Sequence, residues 1–284
     1  MLVAELPQEA DPAKLTRLGL ETYARELGEY GLTVVPQSVL GLPDEFFTHL
    51  RDTVLAVAEQ RTGAHFDLNR GLDRSLGGRP NEIGHVVITH LVDQDPAFEQ
   101  LLTHPVKKAL MSHLLGETHR LSNSSAWIKW QTPDDWEKVM STGMHADQSR
   151  IPTPWNWRAP HIANMNWLLT DYTRENGAFS YVPGSHLEQR FPPEQEAMDR
   201  AVPVEAPAGS LVIFQGCTWH GSYRKETPGL RISMHGIHCR PYILPGHDFQ
   251  GQISDEVYAA SSDPDYLRMI MREDETMLVR LADI

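Results

Sequence analysis

The feature that most constrains this chain is a change of hydrophobic period near residue 121. Before it, apolar residues recur at intervals of three and four; after it, short β-branched and aromatic runs alternate with clusters of Pro, Gly, Asn and Asp. The spacing within Leu15–Leu27 predicts a helix, interrupted by Gly28 and Gly31 before an extended Leu32–Val35 closed by Pro36. Asp44, after Pro43, is placed to cap a second helix that buries Phe46, Phe47, Leu50, Val54, Leu55 and Ala58 and ends near Gly63. A third spans Pro105–Leu115, with Pro in its first turn, Gly116 just beyond it, and Val106, Leu110 and Leu114 toward the core. Strands are expected at Ser125–Trp130, Met144–Asp147, Asn164–Thr170, Ala178–Val182, Ser210–Phe214 and Arg231–His238. Many short strands divided by turns suggest a sandwich or a jelly-roll barrel, which hides its edges by folding the sheet on itself. The expected fold is mainly β with flanking helices, one domain over 1–284. A mostly helical layer covers 1–120, a jelly-roll core 121–241, and a C-terminal helix 263–284. Leu187–Pro207, with four Pro and no clean period, reads as a long insertion or lid.

Composition narrows the function. A chain of 284 residues that is 40% apolar, with Gly and Pro scattered through it, can bury a full core and is neither collagen-like nor disordered. Its formal charge of −13 repels phosphate backbones and anionic lipid, which sets nucleic acid and membrane surfaces aside as partners. Cys217 and Cys239 are too few for a disulfide framework. No run reaches the roughly 18 apolar residues of a membrane span, and Met1–Pro12 carries acids where a leader would carry bases. A soluble, cytoplasmic protein is expected, its oligomeric state open.

Position must choose among 14 histidines. His145 and Asp147 sit two apart in a strand-like run, so both side chains leave the same face while Ala146 points away. A later apolar run, Ser210–Phe214, leads to His220, which supplies a third ligand. Two neutral imidazoles and one carboxylate on one face of an octahedron leave three positions open, the arrangement of non-haem Fe(II) oxygenases. Arg231 follows His220 across a Thr227-Pro228-Gly229 turn that folds neighbouring strands together. Its guanidinium fork matches the distal carboxylate of a dicarboxylic keto acid whose other end chelates the metal. Taken singly, an H-x-D triplet arises by chance, and an Arg on a strand is ordinary surface.

With His145-x-Asp147, Trp219-His220-Gly221-Ser222 and Arg231 stands a block between the ligands. It reads Glu175-Asn176-Gly177, then Val182-Pro183-Gly184-Ser185-His186 after four intervening residues. Together these resemble the phytanoyl-CoA dioxygenase family from roughly Gly31 to Pro241. The resemblance implies a double-stranded β-helix (cupin-like), Fe(II), and 2-oxoglutarate and O₂ as co-substrates. Carried over by position, His145, Asp147 and His220 are the iron ligands, Arg231 the partner of the 2-oxoglutarate carboxylate, Ser222 a hydroxyl donor to it, and Asn166 a further contact. Gln is frequent in the family between the His and the Asp, where this chain has Ala146.

Other residues have plainer readings. His186 closes a turn, His161, His235 and His238 are not ligands, Asn176-Gly177 is a turn, and Cys217 is a buried thiol. Trp155 and Trp157, in the loop after Asp147, either plug the barrel end or wall a substrate pocket, and the pocket is the expectation adopted. Arg150, Arg158 and Arg224 are candidates to meet an acidic substrate group. The function read from the sequence is a 2-oxoglutarate-dependent dioxygenase acting on a C–H bond of a small molecule, a secondary metabolite or an amino-acid or acyl derivative. Asp147 fills the position a halide would need, which favours hydroxylation over halogenation. A zinc hydrolase and a non-catalytic jelly-roll binding protein are the alternatives; the hydrolase leaves Arg231 and Ser222 without a role.

Overall fold

A computed structural model describes residues 11–73, 76, 84–133, 138–261 and 263–271. Two helices, α1 (Pro12–Arg17) and α2 (Glu21–Glu29), stand where one was expected over Leu15–Leu27. The chain turns at Gly19, whose φ is 67°. Leu15, Leu20 and Leu27 nevertheless reach one core, so the apolar spacing runs on across the break and cannot reveal it. Next come β1 (Leu32–Val35), the short α3 (Gln37–Leu40) and the long α4 (Asp44–Thr62), which ends at a left-handed Gly63. Asp44 does not cap α4: Pro43 holds the cap position, and the Asp44 carboxylate accepts from Gln37 Nε2 at 2.6 Å. A hairpin of β2 (Phe66–Asp67) and β3 (Gly71–Leu72) precedes β4 (His85–Thr89), α5 (Pro96–Thr103) and α6 (Pro105–Leu115). β1, α4 and α6 have their expected bounds, while β4 and α5 have no expected counterpart.

The later chain supplies β5 (Arg120–Lys129), β6 (Met140–His145), β7 (Ile162–Leu168), β8 (Phe179–Tyr181), α7 (Glu194–Arg200), β9 (Val202–Pro203), β10 (Leu211–Gln215), β11 (His220–Tyr223) and β12 (Arg231–Cys239). Each expected strand has a counterpart here with shifted ends. The helices α8 (Phe249–Gln252), α9 (Asp255–Ala260) and α10 (Pro264–Met269) follow, and the expected C-terminal helix beyond Met271 lies outside the described residues. No described helix is long and apolar enough to cross a membrane.

The strands form two antiparallel sheets of a jelly-roll that is not closed into a barrel. The large one runs β1-β10-β7-β12-β5-β4, the small one β6-β11-β8-β9. Both edges of the large sheet, β1 and β4, come from the first 120 residues, so the helical layer and the sheet share that part of the chain. Side chains alternate with period two. Ala126, Ile128, Met165, Trp167, Ile213, Ile232 and Met234 leave one face and join Leu27, Phe47, Leu50, Leu101 and Leu110 of the helices in a single apolar core. Their neighbours on the same strands leave the other face and line a cavity that the small sheet closes from its own side.

The small sheet has its own outer core of Met140, Met144, Val182, Trp219 and Tyr223. The segment Leu187–Pro207 covers that core and does not form a structureless lid. Within it α7 buries Ala197 against Trp219, β9 pairs with β8, and Glu188, Arg190, Glu196 and Arg200 form a network of ion pairs.

Candidate functional site

His145 ends β6 and His220 begins β11, and the two stand directly opposite each other in the ladder. Gly221 makes this approach possible, because a Cβ there would lie 2.6 Å from the Thr142 carbonyl oxygen. Ala146 is extended (φ −133°, ψ 133°) and turns into the outer core, so Asp147, two residues past the strand end, emerges on the same side as His145. The expected strand over Met144–Asp147 thus stops at His145, with the two-residue geometry preserved. Asp147 Oδ2 lies 3.3 Å from His220 Nε2, and Asp147 Oδ1 lies 3.8 Å from His145 Nε2. One ligand atom from each of the three residues falls within 4.8 Å of the others.

Backbone carbonyls set the tautomers. His145 Nδ1 donates to Gly143 O at 2.9 Å and His220 Nδ1 to Thr218 O at 2.8 Å, so both Nε2 lone pairs face the common point. The rings of Phe179 and Phe214 pack on His220, with centroids 5.3 and 4.8 Å away. Burial alone would raise the Asp147 carboxyl, but the two imidazoles beside it hold it down at about 2. His145 is pushed below its ordinary value first by His220 and then by burial. Asp147 is thereby held as the anion and His145 is favoured as the neutral ring, the protonation states a metal requires of them. Side-chain exposure falls from 44% at His145 through 22% at Asp147 to 6% at His220, so the set opens on the His145 side. This donor set fits a divalent iron ion with positions left open.

Arg231 is buried at the start of β12. Its Nη1 donates to the Tyr172 hydroxyl and, at 3.4 Å, to Ser233 Oγ; the guanidinium lies 4.5 Å from the Tyr172 ring centroid. No carboxylate pairs with it among the described residues, and its Nε is buried without a partner. A buried cation without a counter-ion is costly, and an incoming anion relieves that cost. Lys129, beside Arg231 in the ladder, is a second buried basic side chain with no carboxylate partner among the described residues. Its Nζ donates to Ser141 Oγ at 2.6 Å, Ser222 Oγ at 2.7 Å and Tyr223 O at 2.9 Å. Because Ser222 Oγ accepts from Lys129, the Ser222 hydroxyl proton is free to turn to another acceptor. Asn166 also lines the cavity, its Nδ2 buried and unpaired.

Six expected residues therefore meet in one cavity: His145, Asp147, His220, Arg231, Ser222 and Asn166. The aromatic wall does not. Trp155 is fully buried in the outer core of the small sheet with Trp219 and Val182, and its indole nitrogen donates to Ile151 O. Trp157 packs against the same core and carries Arg158 over its ring at 4.6 Å. The loop leaves the site on the far side of the sheet, so the two tryptophans plug that face. Arg150 and Arg158 are exposed there, outside the cavity lining, and Arg224 pairs with Glu226. His186 does not close its own turn but ties it to the end of α2, with Nε2 3.1 Å from Gly28 O, and Gly31 is tight against it: a Cβ there would lie 2.6 Å from His186 Nδ1. His235, expected only as a non-ligand, lines the cavity and stacks on Trp127. Sequence reasoning missed Lys129, Tyr172, Trp127 and the lining role of His235. The available signal was the alternation of polar Ser125, Trp127 and Lys129 with apolar Ala126 and Ile128, repeated as Arg231, Ser233 and His235 with Ile232 and Met234.

The chain is similar to known proteins along most of its length. The sequence profile of the phytanoyl-CoA dioxygenase family matches residues 29–233. Dioxygenase af480 of Aspergillus fumigatus is 30% identical over 175 residues, which cover 61% of this chain and 54% of that protein. The chain spans about half to two thirds of the length of the first curated relatives it matches. The structure of SnoN, a non-haem α-ketoglutarate-dependent epimerase from nogalamycin biosynthesis, superposes with a TM-score of 0.57 at 20% identity, covering 83% of this chain and 87% of SnoN. HygX of Streptomyces hygroscopicus, solved with nickel and 2-oxoglutarate bound, gives 0.58 at 16% identity over 79% and 88%. Likeness at these identities establishes the shared fold.

Proposed function

This chain belongs to the phytanoyl-CoA dioxygenase family, and on that premise we propose that it is a 2-oxoglutarate-dependent non-haem Fe(II) dioxygenase that hydroxylates a C–H bond of a small organic molecule. The observation that carries this reading is the pairing, in one cavity, of a two-His-one-carboxylate set with a buried guanidinium that has no counter-ion among the described residues. Zinc hydrolysis would use the first and leave the second unexplained. HygX, solved with nickel and 2-oxoglutarate, lends the co-substrate further support.

Iron bound here supplies the activation of dioxygen and the oxidation of the C–H bond, with 2-oxoglutarate converted to succinate and CO₂. The protein's own part is geometric and electrostatic. His145, Asp147 and His220 would hold the metal, their tautomers set by Gly143 and Thr218. Arg231, steadied by Tyr172, would pair with the distal carboxylate of 2-oxoglutarate, and Ser222, whose oxygen Lys129 occupies, would turn its proton to the same carboxylate. Asn166 would offer its free Nδ2 to the co-substrate. With Asp147 present as a ligand, hydroxylation is favoured over halogenation.

The test is succinate release when Fe(II), 2-oxoglutarate and air are supplied, with none from Asp147→Ala. Mass spectrometry of candidate metabolites incubated with the iron-loaded protein then identifies the substrate. Zinc-dependent hydrolysis without 2-oxoglutarate would replace this reading.

A further inference from the structure

The register of the large sheet sorts the residues of its inner face into rows. Arg231, Lys129 and His85 form the first; Ser233, Trp127 and Val87 the second; Asn166, His235, Ser125 and Thr89 the third; Phe214, Asn164, Ile237 and Asn123 the fourth. Arg231 marks one end of the co-substrate's place. Phe214, packed on His220, marks the metal end on the β7–β10 side. The β4–β5 side, with Ile237 of β12, has no part in holding metal or co-substrate, yet it lines the same cavity.

That side has a definite chemistry. Apart from histidines, the charged side chains among the described lining residues are Asp147 and Arg231, and both are taken by the reading above. What remains is apolar, Val87 and Ile237, or neutral and polar, Thr89, Asn123 and Ser125. The side chains of those three make no hydrogen bond among the described residues. Asn164, buried in the fourth row, turns its side chain to Asp147 and belongs to the metal end. The wall is braced from within: Trp127 stacks on His85 at 4.9 Å and on His235 at 5.3 Å, and His235 Nε2 is 2.8 Å from Ser233 Oγ. Both faces of the indole are covered, so it presents an edge to the cavity.

We propose that the β4–β5 side of the cavity is the substrate subsite and that it selects an uncharged molecule with an apolar face and a hydrogen-bonding group. This rests on the assignment of Arg231 and the triad to co-substrate and metal. An ammonium or carboxylate against this wall would lose its water and gain no counter-ion, whereas a hydroxyl or carbonyl gains the waiting amide and hydroxyls.

The experiment uses the full chain, loaded anaerobically with Fe(II) and 2-oxoglutarate. Equilibrium dialysis follows against three probes that share one ring system: naphthaleneethanol, naphthaleneacetate and naphthaleneethylamine. The alcohol is expected to bind on the order of tenfold or more tighter than either ion. In Asn123→Asp the new carboxylate is expected to make the amine the tightest of the three. Equal binding of the probes, preference for an ion, or no binding of any while 2-oxoglutarate is retained would overturn the inference alone. An unchanged order in Asn123→Asp would overturn the place given to β5. A parent protein that retains no 2-oxoglutarate before any probe is added would overturn the earlier reading, and this one with it.

Discussion

On β7, Trp167 points out of the large sheet into the helices, fully buried against Phe47 and His104, while its neighbour Asn166 points inward and lines the cavity. The same contrast repeats on β5, where Ile128 faces out and Lys129 in, and on β12, where Ile232 faces out and Arg231 in. One set of strands thus does two jobs, separated only by the alternation of the pleat. The outer face is filled, and removing volume there should weaken the fold. The inner face holds buried polar groups that lack partners, a poor choice for stability and a good one for a ligand.

The most severe test of that division is Asp147→Ala. Iron affinity should fall by more than the roughly 10–100-fold that loss of an outer hydrogen-bond partner costs, with the unfolding midpoint unchanged. Metal titration and thermal melting on the same sample check it, and a large drop in melting temperature would show that the inner face supports the fold after all.

Trp167→Ala reverses the pattern. It should cost about 3–5 kcal/mol of unfolding free energy by denaturant titration and leave 2-oxoglutarate affinity in the folded protein intact. Trp155→Ala should behave in the same way, because Trp155 plugs the small sheet's outer core. Strong loss of co-substrate binding in either variant would break the contrast.

Arg231→Leu should weaken 2-oxoglutarate binding on the order of a hundredfold, about 2.7 kcal/mol, because a desolvated carboxylate loses its partner. Stability should hold or rise as an unpaired buried cation is removed, and Lys should restore binding only in part. Calorimetric titration with 2-oxoglutarate decides.

The last test concerns polar groups that stray into the helical side. His119 and His238 are buried with ring centroids 5.1 Å apart, and burial, with Lys107 nearby, drives His119 from 6.5 to about 3. As pH falls below 6.5 the unfolded chain takes up a proton that folded His119 refuses. Stability is therefore full above that value and is lost toward about 3, by up to about 1.4 kcal/mol per pH unit. His119→Leu should flatten the slope of unfolding free energy against pH over that range.

Much of this was legible beforehand. The α6 helix, the strand-rich second half and the same-face geometry of His145 and Asp147 follow from local spacing. The block ending at His186 carried the family. The helix over Leu15–Leu27 misled because its leucines share one core on both sides of Gly19. β11 escaped notice because it is four residues long and contains Gly221 and Ser222, which lack strand propensity. Trp155 and Trp157 were assigned to the cavity because they follow Asp147, yet a loop leaving a strand end can pass to either face of the sheet.

What the sequence determined by itself is whatever depends on neighbours along the chain: which residues share a face and which three ligands suit one metal. Only the tertiary structure decided that His235 lines the cavity while His186 and His238 do not, that Lys129 reaches Ser222 across 93 residues, and that Tyr172 steadies Arg231. The physical reason lies in what sets each distance. Backbone geometry determines the separation of residues two or four apart, whereas contacts between sheets depend on ladder register and on which face each loop crosses, and these follow from the packing of the whole core.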